Sequence, residues 1–345
     1  MAALGSLHGR MRAYEIGDQS SDLTLHMVER PIPTPGPGQV LIKVNATGLN
    51  ARDLWLVRQK NKPHHIPFSD NAGHVAALGP GVKDFEIGDR IIVNHYFLFV
   101  EGDWRYEYNF QDHGSSVDGF LAEYAIANAN ALVKCSDRLP DVELAAISTA
   151  GLTAWRSLGV EARPKPSEIV LTLGTGGVSV FNIQVAKFFG CRVIVTSSSD
   201  EKLERMKTIG ADMTVNYRST RDWAAKVMEL TAGRGVDIIL NTVGYPELEN
   251  CFRCAGNNAR CIHIGASRQQ VEIKPLQNFF MKDCSIKGIA QGSRRALAEC
   301  VRAMDVNGLR PLVDKVFTFE DAVDAFRLME TTDRVGKVMI KVADR

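Results

Sequence analysis

The residues best placed to do chemistry are Gly174-Thr175-Gly176-Gly177-Val178-Ser179. An apolar, β-branched run, Glu168–Leu173, leads into them and reads as a buried parallel strand. A helical pattern follows at once, with Val180, Ile183, Val185, Ala186 and Phe189 spaced to share one face. Strand, glycine turn and helix in that order present backbone N–H groups at a helix N-terminus, where a dinucleotide pyrophosphate can sit. Gly174 permits the tight turn. Gly176 and Gly177 let the phosphates approach the backbone, and Val178 follows in the same cradle. Ser179 stands where the usual fingerprint has a third glycine, so looser helix–strand packing is expected there.

A second apolar strand, Arg192–Thr196, ends in Ser197-Ser198-Ser199. An NAD-selective site places an acid about 20 residues beyond the glycines to accept from the ribose 2′-OH. Ser197 falls there and no acid does. Asp200 and Glu201 come later, in the first turn of a helix that Ser199 can cap. Lys202 lies in that helix, and Tyr217 ends the next short strand. Serines (Ser197, Ser198), a lysine and a tyrosine suit a 2′-phosphate, so the expected cofactor is NADP(H).

Two groups of elements must hold such a site. Up to about residue 135 the chain shows short strands at Gln39–Ala46, Ala72–Leu78, Asp89–Val93 and Phe120–Ala127. Glycine and proline turns separate them, as in an all-β barrel. Beyond it, strands alternate with helices: Glu168–Leu173, Arg192–Thr196, Met213–Tyr217, Val236–Thr242, Ala259–Gly265 and Ser285–Ala290. The tail reads helix Arg294–Met304, strand Val313–Phe319, helix Glu320–Glu330 and strand Gly336–Val342. The expected fold class is α/β, a doubly wound Rossmann sheet (137–292) plus a mainly β unit (1–136 and 293–345).

Of the 345 residues 45% are hydrophobic, enough for two cores, and a net charge of +1 argues against nucleic acid or a membrane as the main partner. Seven scattered cysteines, an odd number, suggest reduced thiols in the cytoplasm. Cys251-x-x-Cys254 falls in a helix-like stretch, Pro246–Ala255, with no second pair at metal spacing. The aromatic loop Tyr96–Asp118 reads as packing, and His64-His65 as solvated loop histidines.

The ordered set Gly48-Leu49-Asn50-Ala51-Arg52-Asp53, Ser69-Asp70-Asn71-Ala72-Gly73, Val82-x-x-Phe85-x-x-Gly88-Asp89-Arg90, Ala150-Gly151-Leu152-Thr153-Ala154-Trp155, Gly174–Ser179, Gly233-x-Gly235-Val236-Asp237 and Gly336-Lys337-Val338 resembles the medium-chain dehydrogenase/reductase superfamily. Within it the chain is similar to the zinc-free quinone oxidoreductase-like branch, in its alcohol dehydrogenase-like subgroup. The resemblance spans nearly the whole chain from residue 11 and implies that the mainly β unit is a GroES-like barrel. Zinc-dependent members hold the metal with Cys, His (before Glu) and Cys. Asn50, Ser69-Asp70 and about Ala150 stand at those positions, and His74 falls past the ligand register, so no metal is expected.

The resemblance further places Asn50, Asp53 and Trp55 near the reacting centre. Asn50 would be a hydrogen-bond donor, Asp53 would orient a neighbour and Trp55 would shape the pocket. It adds Thr153, Asn241, Val243, Ile264, Gly265, Ala266, Phe279, Phe280 and Lys337 to the cofactor contacts. Without a metal or a Tyr-x-x-x-Lys pair, hydride transfer to an activated C=C bond (an enone, enal or quinone) is the reaction that asks least of the protein. The alternatives are a metal-independent alcohol or carbonyl oxidoreductase, and an NADPH-binding scaffold with little turnover. A homodimer joined along Ser285–Ala290 is also expected.

Overall fold

The structure, a computed structural model, describes residues 9–18, 24–60, 62–265, 277–331 and 333–344. Ala266, expected at the cofactor, lies outside them. The chain divides into two compact units, residues 1–152 with 292–345, and residues 153–291.

In the second unit every strand runs parallel. Their order across the sheet is Met213–Asn216, Arg192–Ser197, Ile169–Leu173, Val236–Asn241, Ala255–His263, Ser285–Gly288. This is the doubly wound order, third-second-first-fourth-fifth-sixth, whose reversal beside the first strand opens a crevice at the strands' C-terminal ends. All five residues of Ile169–Leu173 are buried, which explains their unbroken apolar run. The fifth strand begins at Ala255, four residues before its expected start at Ala259, because helix Leu248–Arg253 ends early. Cys254 is buried, its thiol donates to the Cys251 carbonyl, and burial pushes it up to about 12.

The first unit carries a seven-stranded sheet in the order Val313–Thr318, Lys337–Lys341, Gln39–Gly48, Ala72–Leu78, Arg90–Val93, Leu132–Lys134, with Tyr124–Asn128 also pairing Gln39–Gly48. Phe120 and Leu121, expected in that last strand, are buried in the connection before it. An antiparallel hairpin, Arg10–Ile16 with Leu25–Pro31, covers the core and was not expected from the sequence pattern. Helix Asp141–Ala146 packs on Gln39–Gly48, and Arg90 is paired with Asp141 at 2.5 Å. Packing therefore carries the first unit on to Leu152, past the expected change at residue 136. The tail strand Lys337–Lys341 runs antiparallel to Gln39–Gly48, with Met339 opposite Gly48. That register delivers Lys337 to the turn at Leu49-Asn50, although nearly three hundred residues separate them in the chain.

Candidate active site

In the first unit, strand Gln39–Gly48 ends at the turn that starts helix Ala51–Gln59. Asn50 caps the helix in extended conformation, and its backbone N–H donates to Asp53 Oδ2 at 2.7 Å, the reciprocal half of a capping box. Its side chain is committed as well: Nδ2 donates to Asp70 Oδ1 at 3.0 Å, and Oδ1 accepts from Lys337 Nζ at 2.8 Å. Lys337 Nζ also donates to the Leu49 carbonyl at 2.6 Å and lies 2.6 Å from Asp70 Oδ2. The Lys337 and Asp70 side chains are 2% and 0% exposed. Two of the ammonium's N–H bonds go to the Leu49 carbonyl and Asn50 Oδ1, and its charge faces Asp70 Oδ2 as an ion pair. Lys337 is thus a buried cation that neutralises Asp70 within its own unit.

Asp53 is buried, and desolvation pushes its carboxyl up to about 7 against the attraction of Arg52 and the Asn50 hydrogen bond. Among the described residues its Oδ1 has no hydrogen-bond partner. Trp55 lies on the same helix and is 37% exposed.

A polar chain that sequence reasoning missed adjoins these residues. Arg52 Nη1 donates to His95 Nε2 at 2.8 Å, and Arg52 Nη2 bonds Asp112. A guanidinium can only donate, so His95 Nε2 accepts and the ring proton sits on Nδ1. From there it points at Thr149 Oγ1, 3.5 Å away, which is 3.4 Å from Ser69 Oγ. Burial and the neighbouring Arg52 hold His95 well below the usual imidazole range, so it is neutral near pH 7. Thr149 and Ser148 lie on a π-helical turn, Ile147–Gly151, a device that re-aims side chains inside a helix. Ser69 therefore faces Thr149, whereas the resemblance points to about Ala150. His95 and Asp112 bound the aromatic loop read as packing. Trp104 does pack there on Tyr96 and Phe99, so the polar residues among the rings gave no periodic signal.

In the second unit the glycine turn has the predicted form. Gly174 adopts φ +75°, and a Cβ built on Gly176 would meet nothing within 4 Å, which leaves the open cradle a pyrophosphate needs. Helix Gly177–Phe188 starts there with no capping side chain on its N-cap, Gly176. Val178 lies in its first turn. Ser179 does not loosen the packing as expected: its hydroxyl donates to the Leu173 carbonyl at 2.7 Å and ties helix to strand. These residues fit a dinucleotide.

Ser197 closes the second strand, pairs with Asn216, and accepts from the Tyr217 N–H at 3.0 Å. Ser199 caps helix Asp200–Thr208 by accepting from the Lys202 N–H, and Asp200 takes a bond from Asn216 Nδ2 at 2.8 Å. Sheet register thus brings Ser197, Ser198, Lys202 and Tyr217 to one end of two adjacent strands. At the neighbouring strand ends, a Cβ on Gly265 would lie 2.4 Å from the Val243 carbonyl carbon, so only glycine fits. Val243 is exposed and Ile264 half-buried. Two expected contacts are otherwise engaged. Asn241 is wholly buried and knits its own turn, accepting from Val243 N and Gly244 N and donating to the Gly244 carbonyl. Phe279 is half-buried and stacks edge-on to Phe252 at 4.7 Å, against the core, whereas its neighbour Phe280 is 82% exposed. Thr153 is buried, with its carbonyl accepting from the Ser157 hydroxyl.

Residues 36–138 match the alcohol dehydrogenase GroES-like domain, and residues 177–305 match the zinc-binding dehydrogenase family. A zinc-type alcohol dehydrogenase-like protein of Schizosaccharomyces pombe is 34% identical over 89% of this chain and 91% of its own length. A quinone oxidoreductase of Sus scrofa is 30% identical over 90% and 91%. The crystal structure of an NAD-dependent alcohol dehydrogenase superposes with a TM-score of 0.87 at 32% identity, over 96% of this chain and all of that one. The chain belongs to the medium-chain dehydrogenase/reductase superfamily, and it is an oxidoreductase of that nicotinamide-dependent family.

Proposed function

We propose that this enzyme reduces an activated C=C bond, in an enone, enal or quinone, with NADPH and without a catalytic metal. The observation that carries the reading is the buried Lys337–Asp70–Asn50 cluster. By the resemblance, Asn50 and Asp70 fall at positions where the family's zinc-dependent members keep ligands, and here Lys337 pairs with both. The zinc the family name implies does not fit these residues. Thiolate and imidazole are absent from the ligand positions, and Asp70 and Asn50 already serve an ammonium. A dication placed beside that ammonium would be repelled in a low-dielectric site.

The glycine cradle fits the dinucleotide, and the nicotinamide, when bound, supplies the hydride. The chain's own tasks are to orient the acceptor, exclude water and stabilise an enolate oxygen. Two groups are suited to the last task. The Asp53 carboxyl is largely protonated up to about pH 7, and the Arg52–His95–Thr149–Ser69 chain ends in hydroxyl groups. NADPH preference rests on Ser197, Ser198, Lys202 and Tyr217, with Asp200 held by Asn216. Trp55 is a wall of the substrate pocket in this reading. The likeness to an NAD-dependent alcohol dehydrogenase favours a second reading, NAD-linked alcohol oxidation.

One experiment separates them. Purified protein is assayed for metal content, titrated with NADPH and NADH by tryptophan quenching, and offered enones, quinones, aldehydes and alcohols. NADPH binding at least about tenfold tighter (about 1.4 kcal/mol), lost in Lys202→Ala, with enone or quinone turnover that survives chelation, is the expected result. NADH preference, or turnover of alcohols alone, would overturn it. Cofactor binding with no turnover of any acceptor would return the scaffold alternative.

A further inference from the structure

The hairpin that covers the first unit's core carries a second polar cluster, unrelated to the reaction above. Glu15 and His26 are directly opposed in the antiparallel register of Arg10–Ile16 and Leu25–Pro31. Directly opposed residues put their side chains on one face, close enough to share a ligand. Glu15 Oε2 lies 3.9 Å from His26 Nε2 and 3.1 Å from His64 Nδ1, and the three ligand atoms all fall within 4.8 Å of one another. Two imidazoles and a carboxylate whose ligand atoms lie this close together form a zinc-type donor set, which small side-chain shifts bring to a common centre. We propose that Glu15, His26 and His64 bind a borderline transition-metal dication of the zinc class, with the fourth position open to solvent.

Three features prepare the site. His64 is held in the left-handed region, φ +65°, by its N–H to the Ile16 carbonyl at 3.0 Å. Its own carbonyl accepts from Arg30, so an otherwise loose loop residue is fixed against the hairpin. Glu15 is buried, and Arg30 occupies its other oxygen, Oε1, at 2.5 Å, which orients Oε2 toward the histidines. An outer partner of this kind fixes a metal-binding carboxylate. The charges also leave room for a cation. Arg30 bonds Asp118 at 2.8 Å as well, so Glu15, Asp118 and Arg30 together carry one net negative charge. Imidazole donors select zinc, copper, nickel or cobalt over magnesium or calcium, which prefer six or more oxygens. Bound metal would clamp the hairpin to the segment that leads from helix Ala51–Gln59 to Ser69-Asp70.

The test uses untagged, chelator-treated full-length protein and Zn²⁺ or Co²⁺ as the probe. Expected are one equivalent bound, visible Co²⁺ bands of a low-coordinate site, and a melting temperature about 3 °C higher in excess Zn²⁺ and unmoved by Mg²⁺. His26→Ala and His64→Gly should each weaken binding by at least about tenfold (1.4 kcal/mol) and abolish the bands. Glycine suits the left-handed backbone at 64, and His64 is 69% exposed, so that variant keeps its fold. No stoichiometric binding in the wild type, or binding undiminished in both variants, would overturn the proposal.

Discussion

Asp53→Asn should change how stability depends on pH. In the folded protein burial pushes the Asp53 carboxyl up to about 7, from 3.8 for an exposed aspartate. Below pH 3.8 the group is protonated in both states and costs nothing. As pH rises from about 3.8 toward 7 the unfolded chain releases the proton and the folded chain does not, so stability falls. A shift of about three units corresponds to roughly 4 kcal/mol at about 1.4 kcal/mol per unit, the loss being complete above pH 7. Asparagine keeps an oxygen to accept the Asn50 N–H at 2.7 Å but cannot ionise. Between pH 5 and pH 7 the wild type should therefore lose about 2.5 kcal/mol that the variant keeps. Urea unfolding of both proteins at pH 5, 6, 7 and 8 gives the difference directly. A difference that stays flat across that range would refute the view that Asp53 is a desolvated acid. A flat offset in either direction would reflect packing alone.

Lys337→Met strands a buried Asp70 carboxylate and should cost about 3–5 kcal/mol, while Lys337→Met with Asp70→Asn should recover much of it; denaturant unfolding of both variants measures this. Gly265→Ala forces a methyl to 2.4 Å from backbone at Val243 and should destabilise by about 2 kcal/mol, with loss of NADPH quenching where the strand ends shift. His95 is held neutral below the usual range, so its contribution is full above about pH 6.5 and falls as pH drops below it. His95→Gln should flatten that acid limb in thermal melts from pH 7 to pH 5. Strand Ser285–Gly288 is the sheet's outer edge and every residue of it is exposed. Light scattering should report twice the 38.0 kDa chain mass, reduced to one chain by Ile286→Asp.

What the sequence determined is what local chemistry dictates. The glycine turn was legible because the positive φ of Gly174 favours glycine and the fingerprint sets Gly174, Gly176 and Gly177 at fixed offsets from a strand and a helix. The central strands Ile169–Leu173, Arg192–Ser197 and Val236–Asn241 were legible because strands buried on both faces read as unbroken apolar runs, and short chain connections then leave few topologies. Ser197 and Tyr217 could be placed side by side for the same reason, since strand pairing fixes where neighbouring strand ends lie. The absence of soft metal ligands at Asn50 and Ser69-Asp70 also needed only residue identities.

Tertiary structure alone decided the rest. The sequence marks Lys337 only through its motif, and antiparallel pairing of the final strand is what buries its ammonium against Asp70, Asn50 and Leu49. Arg52, His95 and Thr149 come from a helix, a loop and a π-helical turn, and nothing in their spacing announces that they touch. The side-chain contacts of Asn241 and Phe279, one knitting its own turn and the other stacked on Phe252, likewise had no signal in the sequence. Local sequence sets backbone conformation and which face is apolar. Which buried polar groups meet, and how far burial shifts their titration, depends on long-range register and desolvation, and neither has a short-range signature in the chain.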